Sequence, residues 1–112
     1  MATRFTKRQR QKLRILAEES HHRELSEAMM ELYEDFQKWG GDRISAFELN
    51  HRIHEFHDGI SRELYSRYVL LDPEFGVAHA LNQGILAAKE VGESLVKALG
   101  NMVDTEALEE RE

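Results

Sequence analysis

His51, His54 and His57 fall within seven residues, followed at once by Asp58, in the run Glu48-Leu-Asn-His-Arg-Ile-His-Glu-Phe-His-Asp-Gly59. Imidazole nitrogens and a carboxylate are ligands for zinc and other divalent ions. Metal binding, or metal-assisted hydrolysis, is therefore the first chemistry these residues permit. Helical geometry constrains it. With Ala46 at the origin and about 100° per residue, His54 lies near 80°, Asp58 near 120° and His51 near 140°. His57 lies near 20°, at the edge of the apolar face. His51 and His54 are three apart, His54 and Asp58 four apart, so one helix offers two nitrogens and a carboxylate on one side. A fourth ligand has to come from elsewhere. Phe47, Arg62 and Tyr65 share this stripe. Two other readings stay open: a polar packing seam, or a semi-polar contact surface between protein copies. The contact reading uses Phe47, His51, His54, Arg62 and Tyr65, joined by Met30 and Tyr33, which fall off the main apolar arc of the preceding helix.

The elements that must position these residues are helical. Thr6 is a suitable N-cap, and no Gly or Pro interrupts Lys7 to Trp39. Leu25, Ala28, Met29, Leu32, Phe36 and Trp39 recur at helical spacing and read as a core stripe. Gly40-Gly41-Asp42 supplies a stop and a short turn, making the next helix an antiparallel neighbour. Ser45 with Glu48 forms a capping-box pattern for a second helix from Ala46 to about Leu70. Its face is Ala46, Leu49, Ile53, Phe56, Ile60, Leu64 and Leu71, and Gly59 marks a close approach or a slight kink. Asp72-Pro73-Glu74 starts a third helix, expected to run to about Glu90. Its face is Val77, Ala78, Leu81, Ile85 and Ala88, with Ala80, Gly84 and Ala87 as small packing residues. A short fourth helix carries Leu95, Val96 and Leu99 and stops at Gly100. No segment reads as a strand. The sequence predicts an all-α protein: a small helical bundle built on a long antiparallel helix hairpin, with a third helix and a short fourth.

The step Phe56-His57-Asp58-Gly59-Ile60 resembles the His-Asp pair of HD-type metal phosphohydrolases. That resemblance covers two adjacent residues. It implies an upstream His, at His21 or His22, and a distant Asp, at Asp72 or Asp104. Glu18-Glu19-Ser-His21 and Glu48-Leu-Asn-His51 each contain the Glu-x-x-His spacing of di-iron bundles. A hairpin folded about residues 40–44 sets these two motifs about 13–18 Å apart along the axis, so they do not share a site within one chain.

The 112 residues suit one domain, and 41% hydrophobic with 32% charged content excludes general disorder. The absence of Cys excludes disulfides, thiolate zinc sites and cysteine nucleophiles. Neither a signal peptide nor an apolar run of spanning length is evident, which reads as a soluble, cytoplasmic protein. Net charge is −6 but unevenly placed. Arg4, Lys7, Arg8, Arg10, Lys12 and Arg14 begin the chain with no acid among them, and Asp104–Glu112 holds five acids against one Arg. Residues 1–12 thus read as a basic arm or helix start, 7–100 as a single helical domain, and 101–112 as a frayed acidic tail. Arg4, Lys7, Arg8, Arg10 and Lys12 could contact phosphates, although the acidic body opposes nucleic acid. The projected hairpin register sets Glu18 and His21 opposite residues 63–66, giving an ionic layer of Arg14, Glu18, His21 and Arg62.

These readings converge on a cytoplasmic, homodimeric interaction or regulatory module without catalytic activity or cofactor. A metal-binding protein or metal-dependent hydrolase using His51, His54, His57 and Asp58 is the alternative. A nucleic-acid-associated protein acting through the basic arm is the second.

Overall fold

Thr6 starts the first helix, α1 (Lys7–Gly40). Its hydroxyl accepts the Gln9 amide at 3.1 Å, and the Gln9 side chain accepts the Thr6 amide at 2.9 Å. This reciprocal cap satisfies two amides that a helix start otherwise leaves open. The computed structural model describes residues 4–111, and among them there is no strand: the protein is all-α. No helix among these residues is long and apolar enough to cross a membrane.

After Gly41, Ser45 caps the second segment by accepting the Glu48 amide at 3.0 Å. The segment is helical from 46 to 70 but not uniformly so. It comprises α2 (Ala46–Phe56), a π-helical stretch His57–Ser61, α3 (Arg62–Tyr65) and a second π-helical stretch Ser66–Leu70. Cross-segment pairs run in reverse order, with Asp35 on Arg52, Glu24 on Arg67 and His21 on Tyr68. Each partner lies one to two turns later than a hairpin folded about 40–44 implies. The π turns contribute, because each inserts residues beyond the α-helical count.

Asp72 and Pro73 begin α4 (Pro73–Gln83) as expected, but it stops a helical turn or more early. Gly84 takes a left-handed conformation, φ 78°, which a side chain disfavours, and the amides of Ile85 and Leu86 both return to the Ala80 carbonyl. Gly84 is thus a terminator rather than a packing residue, and Ile85 and Ala88 lie beyond the helix. The chain continues through α5 (Ala88–Val91), α6 (Glu93–Leu99), a 3-10 turn Gly100–Met102 and α7 (Thr105–Arg111). The acidic stretch expected to fray therefore carries helix. Asn82 ties it down, donating to the Met102 carbonyl at 2.9 Å and accepting the Asp104 amide at 2.7 Å. Val103 is buried, and Leu108 packs on the core.

The core sits at one end. Leu13, Leu16 and Ala17 of α1 meet Leu64 and Tyr68 from the second segment and Val77 and Leu81 from α4, closed over by Leu86, Val91, Leu95 and Leu99. Beyond Ser20, α1 has no buried residue, and between 41 and 63 Leu49 alone is buried. The radius of gyration is 17.5 Å and the longest axis 56 Å, against a radius of about 13 Å for a compact domain of this length. Two helices therefore project from a packed end. Of the stripe expected to be core, Leu25, Ala28 and Leu32 are half-buried, while Met29 is 49%, Phe36 42% and Trp39 46% accessible. The reason is geometric. At 100° per residue, the buried stripe of Leu13, Leu16, Ala17 and Ser20 lies roughly 130° round α1 from the Leu25–Trp39 stripe. The helices that cover the first leave the second open.

Gly76 lets α4 approach the second segment: a Cβ there would sit 2.7 Å from Tyr68 Cδ1 and 3.4 Å from the Arg67 carbonyl oxygen. Gly59 has nothing within 4 Å of such a Cβ, so it marks no close approach. The two glycines should respond oppositely to alanine. Gly76→Ala gains about 1 kcal/mol in helix propensity but overpacks a buried ring at about 1–3 kcal/mol, a net loss of about 1. Gly59→Ala keeps only the gain, up to about 1 kcal/mol. Urea midpoints of the two variants check this.

Candidate functional site

The histidine run lies on the projecting part. His51, His54, His57 and Asp58 are all exposed, and His51 Nε2 sits 3.2 Å from Glu55 Oε1, its i+4 neighbour. Among the described residues, no group of three or more His, Cys, Asp or Glu side chains is placed to hold one metal ion. Of the ionic layer drawn from the sequence, Arg14, Glu18 and Arg62 are exposed, while His21 is half-buried.

A polar cluster does form where the projecting helices enter the core, from residues about one turn away. Glu24 and Arg67 pair at 3.1 Å, their side chains 20% and 21% accessible. Arg67 also reaches Glu63 at 3.0 Å, and its guanidinium lies 5.9 Å from the Tyr68 ring centroid. Tyr68 donates its hydroxyl proton to Glu24 in a short hydrogen bond, and the His21 ring stacks on Tyr68 at 5.7 Å. Burial, then the bond to Glu24, pushes the Tyr68 hydroxyl pKa above its ordinary value. His79 is half-buried beside this cluster, and its pKa is lowered first by burial and then by the Arg67 charge. Both causes favour the neutral imidazole. No residue spacing marks Glu24, Arg67 and Tyr68 as partners; only the register brings them together.

Arg23, on the adjoining side of α1, holds the loop before α5. It forms a two-point pair with Glu90 at 2.6 and 3.1 Å, donates to the Ile85 carbonyl at 2.8 Å and meets Glu19 at 3.0 Å. Glu90 in turn accepts the Ala87 amide at 2.7 Å. The Arg23 guanidinium first, and the Ala87 amide second, lower the Glu90 pKa to about 2.

The basic start is not a detached arm. Phe5 is buried, Arg4 lies 5.7 Å from the Phe5 ring centroid, and Lys12 donates to the Val91 carbonyl at 2.6 Å. Lys7, Arg8 and Arg10 are exposed on the first turns of α1.

What remains is the open side of the projecting pair. Met30, Tyr33 and Tyr65, proposed from sequence as contact residues, are 59%, 54% and 49% accessible, and Phe47 is 86% accessible. The sequence-based contact set omitted Met29, Phe36 and Trp39, whose helical periodicity reads equally well as core. An exposed cluster of this size, Met- and aromatic-rich, is the kind of surface that proteins dock on.

No family model, curated protein or solved structure gives a significant match to the chain.

The Glu90 geometry gives a pH prediction. A carboxylate whose folded pKa is depressed contributes stability that is full above its unfolded value and lost as pH falls toward the folded one. Here that window runs from the ordinary 4.5 down to about 2. The stability difference between wild type and Arg23→Ala, read from urea midpoints, should therefore be constant above pH 5 and shrink on titration toward pH 2. A difference that grows on acidification would contradict the assignment.

Proposed function

We propose that this protein is a small helical interaction or regulatory module. It acts by docking another protein chain on the open side of its projecting helices, as a binding module rather than an enzyme. One observation carries this: Met29, Phe36 and Trp39, the larger part of the helical stripe best suited to be core, are left accessible by the rest of the chain. Exposed Met and aromatic side chains are costly to leave in water, at about 25 cal/mol per Å² of apolar area. Covering them on binding recovers that free energy, and nothing in their position serves the core.

The fuller architecture belongs to the same reading. α1 and the 46–70 segment form a long antiparallel hairpin, supported by the reversed pairs Asp35–Arg52, Glu24–Arg67 and His21–Tyr68. The α4–α7 region covers one side of that hairpin at its packed end, giving a bundle that is complete there and two helices wide elsewhere. The hairpin thus acts as a rigid presenter, held by the Glu24–Arg67–Tyr68 cluster, for a contact surface near its turn.

The test is affinity capture from cell extract with wild type and with Phe36→Glu, a change at a side chain already 42% accessible. Protein recovered by wild type and lost with the variant is the expected result. Equal recovery by both, with both folded, would overturn the reading.

A further inference from the structure

We infer that the occupant of the open side is a second copy of this chain, joined face to face so that two hairpins make one four-helix bundle. This rests on the docking reading above and names its partner.

The first argument is where the charges are. At about 100° per residue, Leu25, Met29, Leu32, Tyr33, Phe36 and Trp39 occupy roughly a 120° arc that, between residues 21 and 40 of α1, holds no Asp, Glu, Lys or Arg. On α2 and the following turn, the arc from Ile60 through Ile53, His57 and His54 to Phe47 is likewise free of them. Asp35–Arg52 and Glu24–Arg67 mark the line along which the two segments face each other. The segments run in opposite directions, so a further quarter turn from that line brings both arcs to the same side of the pair. The acids of this region, among them Glu27, Glu31, Glu48 and Glu55, fall on the other side. Two identical chains of net charge −6 can then meet without apposing like charges. Their acids stay about a helix diameter away, near the screening length of roughly 8–10 Å at physiological salt. The same acids disfavour an anionic lipid surface or a nucleic acid as occupant.

The second argument is area. From Ile15, 61% accessible, to Trp39 the open side is about 36 Å long at 1.5 Å per residue. Two helices at the usual spacing make it about 20 Å wide. The product, roughly 700 Å², is close to the 800 Å² per partner of a stable interface. Its apolar part, Leu25 to Trp39, takes about 21 Å of that length, and Arg14 and Glu18 lie along the rest, both exposed, as a polar rim. Stacking one two-helix layer on another also reproduces the section of a four-helix bundle, with Phe36, Trp39 and Met29 as its central side chains.

The test is sedimentation equilibrium across a concentration series with the full chain. Wild type should approach twice the 13.0 kDa chain mass. Met29→Glu and Phe36→Glu should each halve that mass while keeping their helical circular dichroism. Glu31→Gln, on the charged side, should leave it unchanged. Should a face variant lose helix, amide exchange of wild type supplies the second measurement: protection over 25–39 and 46–60 should rise with concentration. A wild type at 13.0 kDa throughout, or a dimer indifferent to both face substitutions, overturns the inference. A monomer that nevertheless captures a different protein in a Phe36-dependent way also overturns it, and leaves the docking reading standing.

Discussion

The contact between Tyr68 and Gly76 is the constraint on which the rest of the structure depends. The ring occupies the space where any larger residue on α4 would place its Cβ. It also stacks on His21 and bonds to Glu24, both on α1. One side chain therefore locks three elements. Its hydroxyl is the polar handle that makes burial of a tyrosine tolerable, and Arg67 compensates the carboxylate that receives the proton. If Tyr68 moves, α4 loses its seat on the 46–70 segment, and with it the stretch that Arg23 and Asn82 tether. The cluster is satisfied throughout: no buried side-chain polar atom among the described residues lacks a partner. That matters because a half-satisfied network at this depth would destabilise the junction rather than fix it.

Much of this architecture is legible in the residues themselves. Thr6, Ser45, Asp72-Pro73 and Gly100 mark helix limits through local chemistry that survives folding unchanged. The all-α class follows from the same periodicities. What the sequence does not reveal is which of two apolar stripes on α1 is core. Leu13, Leu16, Ala17 and Ser20 are smaller and fewer than Leu25, Met29, Leu32, Phe36 and Trp39, so hydrophobicity ranks them in the wrong order. The choice is made by the residues of α4 and the helices after it, which pack on Leu13, Leu16 and Ala17. Helix α4 itself ends early because Gly84 adopts a left-handed conformation, an outcome that small-residue composition alone leaves undecided.

The candidate site was readable in kind rather than in detail. A polar seam beside an aromatic-rich surface is present, but the seam uses Glu24, Arg67 and Tyr68 in place of Arg14, Glu18 and Arg62. An error of one to two turns in register is enough to exchange every member but His21. The pair of π-helical stretches at His57–Ser61 and Ser66–Leu70 contributes to it, and no spacing rule for α-helices anticipates them. Histidines are conspicuous in the sequence because they are rare and clustered, yet His51, His54 and His57 are spread over exposed positions. Residue type drew attention to the correct segment, while the geometry assigns its weight to the apolar neighbours.

The distance of the core from the turn has a kinetic consequence. The Asp35–Arg52 pair closes a separation of 17 residues, whereas Glu24–Arg67 closes one of 43. Loop-closure entropy makes the longer closure costlier by about 0.8 kcal/mol if it forms first. The projecting end, thinnest in buried contacts, is nevertheless the cheapest to bring together. Its turn at 41–45 and the Asp35–Arg52 pair are thus suited to zip early and carry Arg67 and Tyr68 toward Glu24. The part of these two segments that contributes least to the finished core is expected to guide the chain to it, and to be the first part to reopen.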